Sequence, residues 1–182
     1  MSSSFRSKFR SVEIVTGPSL WASVGWVVAG LFLQTVASPW LELRNAVPSF
    51  ATIVVVLYAL RAGPRRGLVV GIFAGALTDA LAGTAGGWTI ADTAVVAFVG
   101  AVSGGFFADG IIPPSFLVAA AVLLRDGVFW IVMAMEGYPR GFGTRHLHES
   151  LWQALITGAC ALAYLAFRQR YAGVPTRVER YT

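Results

Sequence analysis

Four ionisable side chains stand within otherwise apolar stretches of this 182-residue chain: Asp79, Asp92 and the neighbours Arg125 and Asp126. A lone charge in hydrocarbon costs roughly 2.5 to 3.5 kcal/mol at mid-membrane, so each must be paired, protonated or close to water. Two facing carboxylates, Asp79 and Asp92, could hold a shared proton. The plainer reading gives each its own hydrogen bonds, with Asp79 capping a glycine-rich turn through the amides of Gly83 to Gly87. Arg125 and Asp126 point ~100° apart on a helix, so they should pair with different helices, with Asp79, Asp92 and Asp109 as candidate partners for Arg125. A polar ligand cavity is the other use for such a group. His146-Leu147-His148-Glu149 offers alternating histidines, which ligate a metal only where a third ligand converges and otherwise belong to a solvated loop opening the last helix.

Other chemistries find little support. Cys160 is the sole cysteine, so neither an intramolecular disulfide nor a cysteine metal site can form, and it reads as helix packing. Ser, His and Asp are scattered along the chain, and no phosphate-binding glycine loop is present. The Gly-Xaa-Gly-Asp of intramembrane aspartyl proteases is missing, since Asp79 stands in Gly75-Ala76-Leu77-Thr78-Asp79. The expectation is a protein with no catalytic residues, no metal and no cofactor.

The elements that must position these groups follow from composition. Apolar residues make up 56% of the chain, charged residues 13%, and the mean hydropathy is +0.68, against about a quarter charged in soluble domains. Six helices of ~20 residues fit the length and leave no room for a sizeable water-facing domain. The fold expected is all-α: a single membrane domain, a six-transmembrane-helix bundle spanning about 20–37, 46–60, 67–82, 88–108, 111–135 and 150–167, with short basic tails at 1–13 and 168–182. The first span is read as a retained anchor, because its apolar body outlasts a secretory signal. Pro48 suits a first helical turn, and the cluster Arg61-Ala62-Gly63-Pro64-Arg65-Arg66 reads as the turn between the second and third spans.

Charge placement sets the orientation. With the N-terminus and C-terminus cytoplasmic, the inner segments hold Arg6, Lys8, Arg10, Arg61, Arg65, Arg66, Arg168, Arg170, Arg177 and Arg180, and the outer ones only Arg44, Arg140 and Arg145. Trp40, Trp88, Tyr138 and Trp152 then fall at outer helix ends, where amphipathic rings favour the headgroup region. The same placement explains the basic pI of about 10.0 without nucleic acid, and the tails would meet anionic membrane lipid or a cytoplasmic partner.

The third span carries the sharpest pattern: Gly67, Gly71, Gly75, Asp79 and Gly83 recur every four residues. Each step turns ~400°, so the row drifts ~40° and forms a tilted stripe. Removing side-chain bulk lets another backbone approach, which matters in lipid because water does not drive apolar faces together there. The stripe is therefore a helix-packing groove, for a neighbour in this chain or for a partner's helix.

The stretch from Pro48 to about Gly105 resembles the bacterial rod-shape-determining protein MreD family. The resemblance is carried by Pro48, Leu57-Tyr58-Ala59-Leu60-Arg61, Pro64-Arg65-Arg66-Gly67, then Gly71, Gly75, Leu77, Asp79, Gly83 and Gly87. It implies a multi-pass protein of the bacterial inner membrane, a scaffold of the peptidoglycan elongation machinery with no reaction of its own. The partner it implies is an MreC-like single-span protein and, indirectly, a RodA-type glycosyltransferase, a class B penicillin-binding protein and the MreB filament. The family also looks like the substrate-binding S components of energy-coupling-factor vitamin transporters, which share a compact six-helix design. For that alternative the outer loops offer only Glu42, Arg44, Glu136, Arg140, Arg145 and the two histidines as converging polar groups.

Overall fold

A computed structural model describes residues 19–106, 110–137 and 142–172. It contains six helices: α1 (Leu20–Leu41), α2 (Phe50–Ala62), α3 (Pro64–Ala82), α4 (Gly87–Phe106), α5 (Ile112–Met135) and α6 (Phe142–Ala172). No strand occurs among the described residues, only an isolated antiparallel bridge between Leu43 and Ala46. Helices α1, α5 and the Arg145–Tyr171 part of α6 are long and apolar enough to cross a membrane, and α2 and the Gly87–Ser103 part of α4 are shorter apolar helices. Those features are those of a helical membrane protein, because a chain in lipid must satisfy its backbone polar groups internally.

Helix α2 is the axis of the bundle. It packs on α1, α3, α4, α5 and α6, whereas α1 touches only α2 and α3. Between residues 51 and 59 every side chain of α2 is buried except half-buried Val54. Thirteen residues rise only ~20 Å, short of a ~30 Å hydrocarbon core. Being encircled, α2 need not match that thickness with lipid-facing surface. Its incoming segment is buried too: Pro48 and Ser49 are covered, Ser49 N donates to Thr157 Oγ1 at 3.0 Å, and Gln153 Nε2 donates to Val47 O at 2.8 Å. Two side chains of α6 thus satisfy non-helical backbone inside the bundle, the condition on which such backbone is tolerated at depth.

Several boundaries differ from the sequence expectation. Helix α1 runs past residue 37 and through Pro39, which lacks the N–H that would bond Thr35 O, while Glu42 N still bonds Ser38 O at 3.0 Å. The second helix starts at Phe50, not 46, because Arg44 and Asn45 have φ of 53° and 66° and make a tight reversal between Leu43 and Ala46. Pro48 precedes the helix and is not in its first turn. The expected basic turn shrinks to Gly63, whose φ of 82° reverses the chain; Arg61 lies in the last turn of α2, while Pro64 opens α3 with Arg65 and Arg66 in its first turn. Helix α4 begins at Gly87, one residue earlier than expected, and α5 at Ile112, one later.

The largest difference is α6, which begins at Phe142 and not at 150, so His146-Leu147-His148-Glu149 is helical and not a loop. Arg145 and Glu149 pair at 2.9 Å across one turn there, giving a polar helical surface that hydropathy does not register. At its other end α6 continues through Arg168 and Arg170, which were expected in the tail. The expectations for residues 1–13, Asp109, Tyr138, Arg140 and 173–182 lie outside the described residues.

The glycine stripe is filled by this chain's own helices. A Cβ on Gly67 would sit 2.8 Å from Ala59 Cβ of α2, one on Gly71 would sit 2.7 Å from Val96 Cγ2 of α4, and one on Gly75 would sit 2.6 Å from Trp88 O. The groove is thus a seat for α4 and α2, and the alternative of a partner's helix in it is corrected. Gly83 does not share that contact. It has nothing within reach of a Cβ and instead takes the left-handed conformation, φ 69°, that ends α3.

Candidate functional site

Asp79 lies in the last turn of α3, 6% exposed, and its carboxylate spans the turn to α4. Oδ1 accepts from the Thr84 hydroxyl and from Trp88 N at 3.0 Å; Oδ2 accepts from Thr89 N at 2.9 Å and Thr89 Oγ1 at 2.7 Å. Its backbone carbonyl also receives Gly83 N and Thr84 N. A negative side chain at a helix start satisfies amides that lack intrahelical partners and complements the positive end of the helix dipole. The capping role expected of Asp79 is therefore present one step further along: the amides it binds are those of Trp88 and Thr89, not of Gly83 to Gly87. A carboxylate with four accepted bonds is saturated.

Asp92, in the second turn of α4, forms the second node. Its Oδ1 lies 2.7 Å from Arg125 Nε of α5, with the side chains 3% and 5% exposed, so Asp92 is the partner among the three candidates named for Arg125. Arg125 Cζ also lies 4.2 Å from the centroid of the Trp88 ring, and Trp88 stacks on Phe129 at 3.7 Å with planes 8° apart. Such a contact is worth about 2 kcal/mol when desolvated, where the ring quadrupole meets the cation without competing water. Trp88 thus joins the nodes, its amide on Asp79 and its ring under Arg125. The sequence reading placed Trp88 in the interfacial belt; its spacing of four residues from Asp92 was the signal that it turns inward. The two acids do not form a joint proton site, because each has its own separate donors.

Asp126 turns the other way, toward α6, as adjacent helical residues must. It is 1% exposed, lies beside Arg125, Ser150 and His146, and its Oδ1 has no hydrogen-bond partner. His146 Nε2 lies 3.3 Å from the Asp126 carbonyl oxygen, and the imidazole tilts against Phe129 at 6.1 Å. The structure therefore gathers one Ser, one His and one Asp that were read as scattered. His146 Nε2 meets the main-chain carbonyl of Asp126, and Ser150 lies beside the Asp126 carboxyl group. Among the described residues no three His, Cys, Asp or Glu side chains converge as metal ligands.

The basic residues at the opposite end, Arg61, Arg65 and Arg66, are all exposed and do not join this network. What the site can do chemically is hold α3, α4, α5 and α6 in register through charge and aromatic contacts. No family model, no curated protein and no solved structure matches the chain.

Proposed function

We propose that this chain is a non-catalytic scaffold of the bacterial inner membrane, a six-span protein with both termini cytoplasmic that serves the peptidoglycan elongation machinery and binds an MreC-like single-span partner. The observation that carries the reading is where the motif residues go. Gly67, Gly71 and Gly75 seat α4 and α2, and Asp79 and Gly83 build the α3–α4 turn. Five of the residues on which the MreD resemblance rests thus make one packing unit at the α3–α4 contact, which supports a structural role for that motif. With its inner glycine groove occupied, the protein meets a partner through outer surface, of which α1 offers the most: Trp21, Phe32 and Trp40 are 80%, 70% and 87% exposed.

Depletion of the chain from its host tests this. Rod-shaped cells should round up while vitamin uptake continues. Normal cell shape together with lost uptake of one vitamin would replace the scaffold with the S-component reading. One observation favours that second reading: Asp126 carries an unpartnered buried oxygen beside the column of Trp88, Phe129 and His146, and a buried polar atom without a partner inside the protein is a place where a ligand or water bonds.

A further inference from the structure

Two buried carboxyl groups, Asp92 and Asp126, share one buried guanidinium, Arg125, and the geometry gives it to only one of them. Asp92 is 2% and Asp126 1% exposed. Arg125 places its Nε 2.7 Å from Asp92 and its Cζ over the Trp88 ring, so it is committed to α4. Asp126, the next residue, points ~100° away, toward α6. Among the described residues the ion pairs are Arg125 with Asp92 and Arg145 with Glu149, and Asp126 joins neither. Its Oδ1 is closed off from solvent and no donor reaches it.

Asp126 also stands well inside α5, a helix long and apolar enough to cross a membrane. A lone carboxylate at such depth is costly, and the cost is relieved by pairing the charge or by removing it. A hard metal cation takes about six to eight oxygen ligands, and among the described residues no three His, Cys, Asp or Glu side chains converge. A proton needs neither room nor further ligands. It also turns Oδ1 from an acceptor that nothing reaches into a donor. Carbonyls of the preceding helical turn take such donors elsewhere in this chain: Thr78 Oγ1 bonds Ala74 O at 2.8 Å, and Ser115 Oγ bonds Ile111 O at 2.7 Å.

We infer that Asp126 is an intramembrane proton site, occupied at neutral pH, on which the docking of the first turns of α6 against α5 depends. Those turns rest on α5 around it. His146 Nε2 meets the Asp126 carbonyl at 3.3 Å, the imidazole tilts on Phe129, and a Cβ on Gly143 would sit 3.0 Å from the Trp130 ring. The titratable groups facing Asp126 among the described residues are Arg125 on its own helix, Asp92 of α4 behind Arg125, and His146 of α6. Helix α2 brings none: Ser49 at its start is level with Thr157, about two turns along α6 from Ser150, and Tyr58 and Arg61 lie further on. Loss of the proton leaves an anion inside the α5–α6 contact, which must loosen for water to reach the carboxylate. The inference rests on the membrane setting and stands apart from the identity of any protein partner.

Infrared spectroscopy of the purified full chain tests it, because a protonated carboxyl group has a C=O stretch apart from the amide bands and a carboxylate has none there. The wild type at neutral pH should show that band, Asp126→Asn should lose it, and Asp79→Asn should keep it. Should Asp126→Asn not fold, Asp126→Glu is read for a shift of the same band. Raising the pH should bleach the wild-type band, and amide hydrogen exchange over residues 143–150 should quicken in step, relative to Asp126→Asn at each pH. Folding of the wild type takes up a proton, so its folded-to-unfolded ratio should fall about tenfold per pH unit against that of Asp126→Asn above the ordinary carboxyl range. A neutral-pH spectrum without the band would overturn the proton site and give Oδ1 to a water or ligand on an ionised carboxylate. A band that survives in Asp126→Asn would overturn it as well. Exchange over 143–150 that stays level with the variant while the band bleaches would overturn the dependence of the α6 contact on the proton.

Discussion

At the scale of single residues, a buried charge is stabilising only while its partner is present. Arg125 is 4% exposed and rests on Asp92 and on the Trp88 ring. Arg125→Ala should lower stability by about 3 to 5 kcal/mol, most of it the cost of leaving Asp92 buried alone. Thermal melts in detergent test this, and Asp92→Asn combined with Arg125→Ala should cost less than the sum of the two single changes. Asp79→Ala should cost roughly 3 kcal/mol, since it orphans the Trp88 and Thr89 amides at about 1 to 3 kcal/mol each. Asp79→Asn, which keeps one acceptor oxygen, should lie between the two; equal melting temperatures for Asp79→Ala and the wild type would sink the capping role. Much of this was legible beforehand: an intramembrane Arg needs an acid, and an Asp before a glycine turn needs amides. Which acid and which amides was not, because a partner thirty-three residues away follows from helix rotation and depth, and sequence spacing carries neither.

At the scale of elements, the four-residue glycine row was legible as a groove, and its occupant was not. The seat for α4 is tight enough that Gly71→Leu should destabilise the protein itself, by about 1 to 3 kcal/mol or more from overpacking against Val96. Gly25 of α1, exposed and with nothing within reach of a Cβ, gives the contrast: Gly25→Ala should raise stability by about 0.5 to 1 kcal/mol through helix propensity. A Gly71→Leu protein that melts with the wild type would mean that α3 and α4 are not packed this closely. Helix ends were the least legible feature. Hydropathy misses the first turns of α6, where Arg145 and Glu149 make a polar but helical surface, and Pro48 drew the start of α2 too early because a proline suits both a first turn and the residues before it.

At the scale of the whole molecule, five of the six described helices pack around the short buried sixth, α2, and place the α3–α4 turn and the α2–α3 turn at opposite ends. The proposed orientation, with both termini cytoplasmic, predicts that a Cys160→Ala background carrying Ala85→Cys reacts with a membrane-impermeant maleimide in intact cells, and one carrying Arg65→Cys only after permeabilisation. The reverse pattern would invert the orientation. Six helical runs were legible from composition and periodicity, whereas the central place of α2 was not, since its apolar residues read the same whether lipid or helices surround them. The central claim, that this frame organises partners and performs no reaction, is tested most directly by quantitative mass spectrometry of proteins crosslinked to the tagged chain in its host membranes. The account predicts enrichment of an MreC-like single-span protein together with cell-wall synthases. Enrichment of a paired ATPase and its membrane scaffold would contradict it and make the chain a ligand-binding transporter subunit.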